Sequence, residues 1–565
     1  MTLEPAELDY PAILSLSEKF NLPGRSEGAC FLIWYLQNFY RLDELEAVDS
    51  VCDQPGDRGI DGIYVNDNDL TINVLQSRTI QRAGATIGDG AIREFAGTLS
   101  QFSNQESIQN LCDTTGDAKV ASLIRRLDLV NKIKTHELVG VFVSNVEIDA
   151  NGKAVLDANP NIQFVGRTQL LETYVSDARS IPATGPVTFN IDGFTPTEYI
   201  VDANTRAVIV PVRGSELVGM PGVSDQSLFA FNVRGPLGKT KVNKDIVKSI
   251  KDESRHGLFP LFHNGITVIC GSLELTPTSL TIDDFYVVNG CQSLTSLYEN
   301  RGSITDNLRL LTKYIRMDTG SPLSEMVTQF SNNQNGVKAR DFQSNNPIQI
   351  RLQNEFNENF AGQYVYEIKR GEVLGPGSQI SNEIAGLYFL AFDLKEPWTT
   401  HRKYQVFEDK HSDLFARPVV TADRIVLCQV ICEAIDDSID SINNQLFGKY
   451  ALTKFAIMYM IRLILEQDDV GKLVLVNPSD FVRDEATRER FKAAIRTIIS
   501  DVVVDINAEV NELGLDFDYR DKLRDSGWVE ELSRKVIAFY SALIERHRVE
   551  SFAQVWQRMN EATEE

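Results

Sequence analysis

Positive charge is scarce in this sequence: Lys and Arg total 56 against 79 Asp and Glu, for a net charge of −23. Such a chain cannot hold nucleic acid by bulk attraction. Any phosphate binding has to use a local basic patch or a bound cation. Histidine is sparse too, with six residues, none at metal or nucleophile–base spacing from another, and structural roles are expected for all six. The seven cysteines (Cys30, Cys52, Cys112, Cys270, Cys291, Cys428 and Cys432) form no CxxC pair. A scattered, odd-numbered set reads as reduced, buried thiols in a cytoplasmic protein, with no structural zinc site. Long apolar runs are missing. The most apolar stretch, Phe455 to Leu465, is short and contains Arg462, which fits a core helix rather than a membrane span. The opening MTLEPAELDY has no basic stretch leading into an apolar one, so no secretory signal is read there. No repeat of fixed period is visible. The hydrophobic share of 43% and charged share of 24% are those of a folded chain rather than a disordered one.

What is present reads as an α/β multidomain protein in three regions: 1–180, 185–420 and 421–565. In the first, SEGACFLIWYLQNFYRLDELEA has helical apolar spacing with Ser26 as its cap. GIDGIYVNDNDLTINVLQSR reads as two strands joined by a turn at Asn66–Asp69. Helices are expected over Gly90–Phe102 and Lys119–Lys134. ELVGVFVSN has the continuous apolar character of a buried strand, and IQFVGRTQLLETYV reads as a short strand feeding a helix. That order makes a mixed sheet with helices. In the second region, TGPVTFNIDGFTPTEYIVDAN reads as a connector. Strands are expected at Ala207–Val212 and Leu228–Val233, in LFHNGITVIC and FYVVNGCQSLTSL, and in LRLLTKYIRMD. Helices are expected in VNKDIVKSIKDES, SPLSEMVTQFSNNQN and Asp341–Phe356. Four long stretches of the third region carry helical apolar spacing.

One local pattern carries chemistry. Asp61 stands at the mouth of the first strand of the hairpin, and Gln76-Ser77-Arg78 ends the second. A hairpin brings these side chains to one edge. Phosphodiester hydrolysis uses a divalent cation to polarise phosphate and to lower the pKa of an attacking water. Magnesium favours hard oxygen ligands, usually one or two carboxylates with water. Asp61 supplies a carboxylate and the Gln76 amide oxygen a neutral ligand. Arg78 is placed to stabilise transition-state charge, and Glu27 on the preceding helix adds an acidic group through water. The plainer reading makes Asp61 a turn cap and Gln76 a polar strand residue.

The residues GIDG, a hairpin, QSR and the helical Glu27 resemble the Mrr-like branch of the PD-(D/E)xK nuclease superfamily, in which glutamine replaces the second acidic residue. The resemblance covers about the first 180 residues. It implies a restriction-endonuclease-like mixed sheet, a Mg2+ or Mn2+ cofactor held by Asp61 and Gln76, and a catalytic set of Asp61, Gln76, Arg78 and Glu27. One departure stands out, because the family lysine is Arg78 here. Arginine stays protonated, so it can anchor phosphate but cannot shuttle a proton.

The middle of the chain resembles the AIPR (abortive infection phage resistance) family. NVRGPLG with VNKDI, FHNGITVIC, VVNGCQSLTSLYEN, FSNNQNGVKARDF and YEIKRGE occur in the family's order between Asn232 and Glu372. These blocks are rich in amides, which both donate and accept, and in cations, a mixture suited to phosphate or nucleotide recognition. Arg234, Lys239, Lys241, Asn264, Asn289, Gln292, Asn333 and Lys369 are the candidate binding residues. Against this, Asn-Gly pairs are commonly turns, and the lysine-rich helix is more commonly a solvated face. The expected function is a metal-dependent nuclease of antiphage defence, in the cytoplasm. Its expected partners are nucleic acid, DNA ahead of RNA, and a nucleotide or phage component at the central region. No membrane partner is expected, and self-association through the helical C-terminal region is left open. The alternative is a degenerate module that binds nucleic acid or nucleotide without cutting.

Overall fold

The computed structural model describes residues 8–40, 42–52, 60–67, 70–114, 118–173, 185–223, 228, 241–318, 323–324, 326–327, 331, 347–368, 375–407, 410–514 and 518–564. The chain divides into two compact units. One comprises Met1–Asn21 and Arg25–Gly336, and the other Leu22–Gly24 and Val337–Glu565.

The first unit opens with α1 (Tyr10–Ser17), α2 (Glu27–Phe39) and α3 (Glu44–Asp49). Ser26 caps α2 by accepting from the Ala29 amide. Asp43 and Glu46 form a reciprocal capping box on α3, which satisfies two amides that a helix start leaves orphaned. A four-stranded sheet follows in the order β1 (Gly62–Asn66), β2 (Thr71–Arg78), β3 (Glu137–Ser144) and β4 (Ile162–Val165). β1 and β2 are antiparallel, whereas β2–β3 and β3–β4 are parallel. The long crossover from β2 to β3 runs through α4 (Asp89–Ser100), α5 (Gln105–Thr114), α6 (Ala118–Arg126) and α7 (Leu129–Lys132). α8 (Ala150–Asp157) joins β3 to β4, and α9 (Arg167–Thr173) follows. Every residue of β2 before Arg78 is buried, as expected of a strand covered on both faces. Ile72 and Val74 share a core with Phe95 and Leu99 of α4. The helix expected over Lys119–Lys134 is two helices, because Asp128 takes a left-handed conformation (φ 52°) at the break; Asp tolerates that region better than most residues.

A six-stranded sheet follows. It is built from β5 (Val187–Asn190), β6 (Thr197–Ile200), β7 (Arg206–Arg213), β8 (Ile266–Leu275), β9 (Ser279–Asn289) and β10 (Arg309–Arg316). Its strand order is β5-β9-β8-β10-β7-β6. Only the β8–β10 pairing is parallel. The segment read as a connector therefore contributes both edge strands. Its Pro and Gly punctuate two short strands whose pairing comes from β9 and β7. α10 (Gly214–Val218), α11 (Lys241–Lys251), α12 (Phe259–Phe262) and α13 (Cys291–Glu299) complete this part. Val268 and Cys270 of β8 pack with Ile250 of α11 and Leu294 of α13, while Ile269 belongs to a separate cluster with Tyr286, Val288 and Ile315. This is the period-2 alternation of a strand with two covered faces. Beyond Leu228, the strand expected at Leu228–Val233 lies outside the described residues.

The second unit is helical. Its longer helices are Pro347–Asn359, Ala422–Asp436, Ala451–Gln467, Glu485–Glu512, Ser526–Glu545 and Phe552–Glu564. β11 (Tyr364–Glu367) and β12 (Ser378–Ser381) form a small parallel pair. Side-chain amides supply the hydrogen bonds that a further strand would give β11. Gln353 Nε2 donates to the Tyr366 carbonyl, and Asn382 Nδ2 to that of Ile368. The molecule is thus a mixed α/β multidomain protein with a helical C-terminal region. All seven cysteines are buried. Among the described residues, no helix is long and apolar enough to cross a membrane.

Candidate functional site

The hairpin register pairs Gly62 with Leu75, so one step further along the chain Asp61 comes opposite Gln76. The Asp61 amide donates to the Leu75 carbonyl (3.0 Å), and its own carbonyl accepts from Cys52 (2.7 Å). These bonds fix the backbone just ahead of β1. The Asp61 carboxylate accepts from the Ser77 amide at 2.6 Å and lies 3.2 Å from Ser77 Oγ. The same hydroxyl donates to the Gly28 carbonyl of α2 at 2.8 Å. Sequence reasoning gave Ser77 no role. Its partners lie 16 and 49 residues away, and its only signal was its place between Gln76 and Arg78.

Gln76 is 7% exposed. It pairs with Phe142 on β3 and, by strand alternation, shares a face with Val74 and Arg78. Its amide oxygen is buried without a hydrogen-bond partner. Such an acceptor costs about 1–3 kcal/mol of desolvation when left unmade, and it is the kind of group a hard cation satisfies. The donor set therefore fits Mg2+ or Mn2+: one carboxylate, one buried amide oxygen, and water for the rest. Among the described residues, no cluster of three or more His, Cys, Asp or Glu is arranged to hold a metal. Any cation here would thus lean on the amide.

Arg78 leaves β2 with its side chain about 40% exposed, and its guanidinium lies 3.9 Å from Glu94 of α4. Glu27 opens α2 and accepts from the Tyr10 hydroxyl at 2.6 Å. Tyr10 in turn accepts from Gln81 Nε2 at 2.8 Å, just past β2. The bond to Glu27 pushes the Tyr10 phenol above its ordinary value. Tyr10 is a second residue the sequence left unmarked. The exit of β2 is held further by Asn145, which accepts from the Ile80 amide and donates to the Ile80 carbonyl.

In the central part, the structure brings two of the proposed binding residues to one end of neighbouring strands. Asn264 is exposed just before β8, and Asn289 ends β9, where its amide donates to the Ser331 carbonyl. Each is followed by a glycine with positive φ, +77° at Gly265 and +101° at Gly290. A Cβ on Gly290 would sit 3.0 Å from the Gly265 carbonyl, so the two Asn-Gly pairs touch through backbone that tolerates no side chain. Gln292 lies in the first turn of α13 and Lys241 opens α11. Arg234, Lys239, Asn333 and Lys369 lie outside the described residues. His263, beside Asn264, packs against Phe259 with ring centroids 3.9 Å apart and planes tilted by 38°, and burial lowers its pKa.

A mixed sheet with an acid, a buried amide and an arginine at one end, followed by a six-stranded sheet and a helical unit, defines a multidomain α/β protein. Residues 229–510, about half of the chain, match the family model described as AIPR protein; over that span the chain belongs to the AIPR family. The sequence blocks between Asn232 and Glu372 fall inside the match. No curated protein and no solved structure matches the chain.

Proposed function

We propose that this protein acts in antiphage defence of the abortive-infection type, in the cytoplasm, and that its N-terminal sheet is an Mrr-like, metal-dependent nuclease site. The observation that carries this reading is the orphaned, buried Gln76 oxygen opposite Asp61. A hard cation shared with the Asp61 carboxylate would satisfy that oxygen. Asp61 and Gln76 would hold Mg2+ or Mn2+, which supplies Lewis acidity and an activated water when bound. Arg78 would hold a phosphate oxygen, and Glu27, fixed by Tyr10, would orient solvent. The central amides and cations would recognise nucleic acid, DNA ahead of RNA, or a nucleotide or phage component. Purified protein with Mg2+ or Mn2+ is expected to degrade DNA or RNA. Asp61→Ala should remove that activity, and equal cleavage by the variant would refute the assignment.

A second reading is favoured by Arg78. Where the family has lysine, this chain has a permanently charged group beside Glu94. On that reading the sheet grips nucleic acid without cutting it. Arg78→Lys separates the two readings: cleavage that appears only in the variant identifies a degenerate binding module.

A further inference from the structure

We propose that Ser77 is the positioning residue that sets the Asp61 carboxylate for cation capture, by tying it to the first turn of α2. The inference rests on the metal-site reading above and extends it to the middle residue of Gln76-Ser77-Arg78.

Three interactions converge on Ser77. Its amide donates to Asp61 Oδ2 at 2.6 Å, its hydroxyl lies 3.2 Å from the same oxygen, and that hydroxyl donates to the Gly28 carbonyl at 2.8 Å. The Leu75 and Cys52 bonds fix the Asp61 backbone but not its side chain, which Ser77 sets. The amide holds one carboxylate oxygen, and the hydroxyl shares its single proton between that oxygen and the Gly28 carbonyl. A carboxylate has about four lone-pair sites, so this grip is compatible with cation binding. The link to Gly28 places the anchor on the turn that also carries Glu27. One serine thereby ties the acid at the strand mouth to the helix bearing the other acidic group.

The strand's alternation divides the work. Gln76 presents its oxygen on the face of Val74 and Phe142, while Ser77 points the other way, toward α2. Gly28 is part of the device. A Cβ there would stand 3.2 Å from Ser77 Oγ, close enough to displace the hydroxyl. Groups that orient a metal ligand typically change metal affinity by about 10- to 100-fold when removed.

The test is Mn2+ binding to the full chain by titration calorimetry, with metal-free thermal melts run in parallel. Ser77→Ala keeps the amide bond and removes the hydroxyl, and about tenfold weaker Mn2+ binding is expected at unchanged stoichiometry. Gly28→Ala leaves the hydroxyl in place but crowds it, and it should weaken binding in the same direction. A merely structural serine would lower the melt and leave the Mn2+ affinity alone. Equal affinity in wild type and Ser77→Ala overturns the positioning role while the metal site stands. If Ser77→Ala melts too low to titrate, Gly28→Ala decides, and unchanged affinity there overturns the proposal. A wild-type chain that takes up no Mn2+ overturns the metal reading and this inference together.

Discussion

At the scale of single residues, Gln76 separates a structural site from a functional one. Its unmet oxygen sits beside Phe142, so an apolar side chain of similar size should be tolerated better than the native residue. Gln76→Leu is expected to stabilise the metal-free protein by about 1 kcal/mol and to abolish Mn2+ binding. Thermal melts with and without Mn2+ check both parts. Gln76→Glu should do the reverse: two carboxylates face each other without metal and repel, so the apo melt falls, whereas added Mg2+ stabilises more than in wild type. The pairing of Asp61 opposite Gln76 was legible in the sequence because hairpin register follows from strand patterning and turn position alone. Ser77 and Tyr10 were not. Their roles depend on Gly28 and Gln81, 49 and 71 residues distant, and no local pattern announces such meetings.

At the scale of elements, periodicity located those whose burial is self-evident. β3 and the helix Ala451–Gln467 carry unbroken apolar signals and fall where expected. β5 and β6 were missed because short edge strands are specified by their partners: β5 pairs with β9 about ninety residues later. A further device invisible to periodicity is the π-helical turn Phe389–Asp393, of a type frequent at strained or functional positions. It leaves the Asp393 side chain 2% exposed and gathers three arginines on its carboxylate: Arg417 at 3.1 Å, Arg424 at 2.5 Å and Arg462 at 3.2 Å. Arg424 and Arg462 also lie over the Phe392 ring, each at 5.2 Å. Arg424 belongs to the helix Ala422–Asp436 and Arg462 to Ala451–Gln467, so one carboxylate joins two helices to the π turn. Asp393→Asn leaves three guanidiniums around a neutral acceptor. Breaking a buried pair in this way costs about 3–5 kcal/mol, and the melt of the full chain should fall accordingly. Replacing Arg424 by Met in the Asp393→Asn background should recover part of the loss, because one unpaired buried charge is then removed.

At the scale of the whole molecule, a chain of net charge −23 meets acid in two stages, and the histidines set the first. His401 donates through Nδ1 to the Trp398 carbonyl (2.8 Å). Burial first, and the Arg524 charge second, lower its pKa from 6.5 to about 4. Burial lowers His263 and His411 as well. A group whose folded pKa lies below its unfolded value binds more protons in the unfolded chain between the two values. Stability should therefore decline as pH falls from about 6.5 toward about 4, with His401 contributing up to about 3 kcal/mol. The second stage belongs to carboxylates whose folded pKa is depressed. Asp252, bonded to Ser254, and Asp484, bonded to Thr487, lose their contribution as pH drops from 3.8 through their lower folded values. Asp501 and Asp505 oppose this trend, because burial raises both, so acid relieves a penalty there. The two stages separate experimentally through one variant. His401→Gln keeps an N–H for the Trp398 carbonyl and cannot be charged. Its melts between pH 6.5 and 4 should fall less steeply than those of wild type, while the loss below pH 4 stays the same. Parallel curves over the upper window would assign the first stage to His263 and His411 instead.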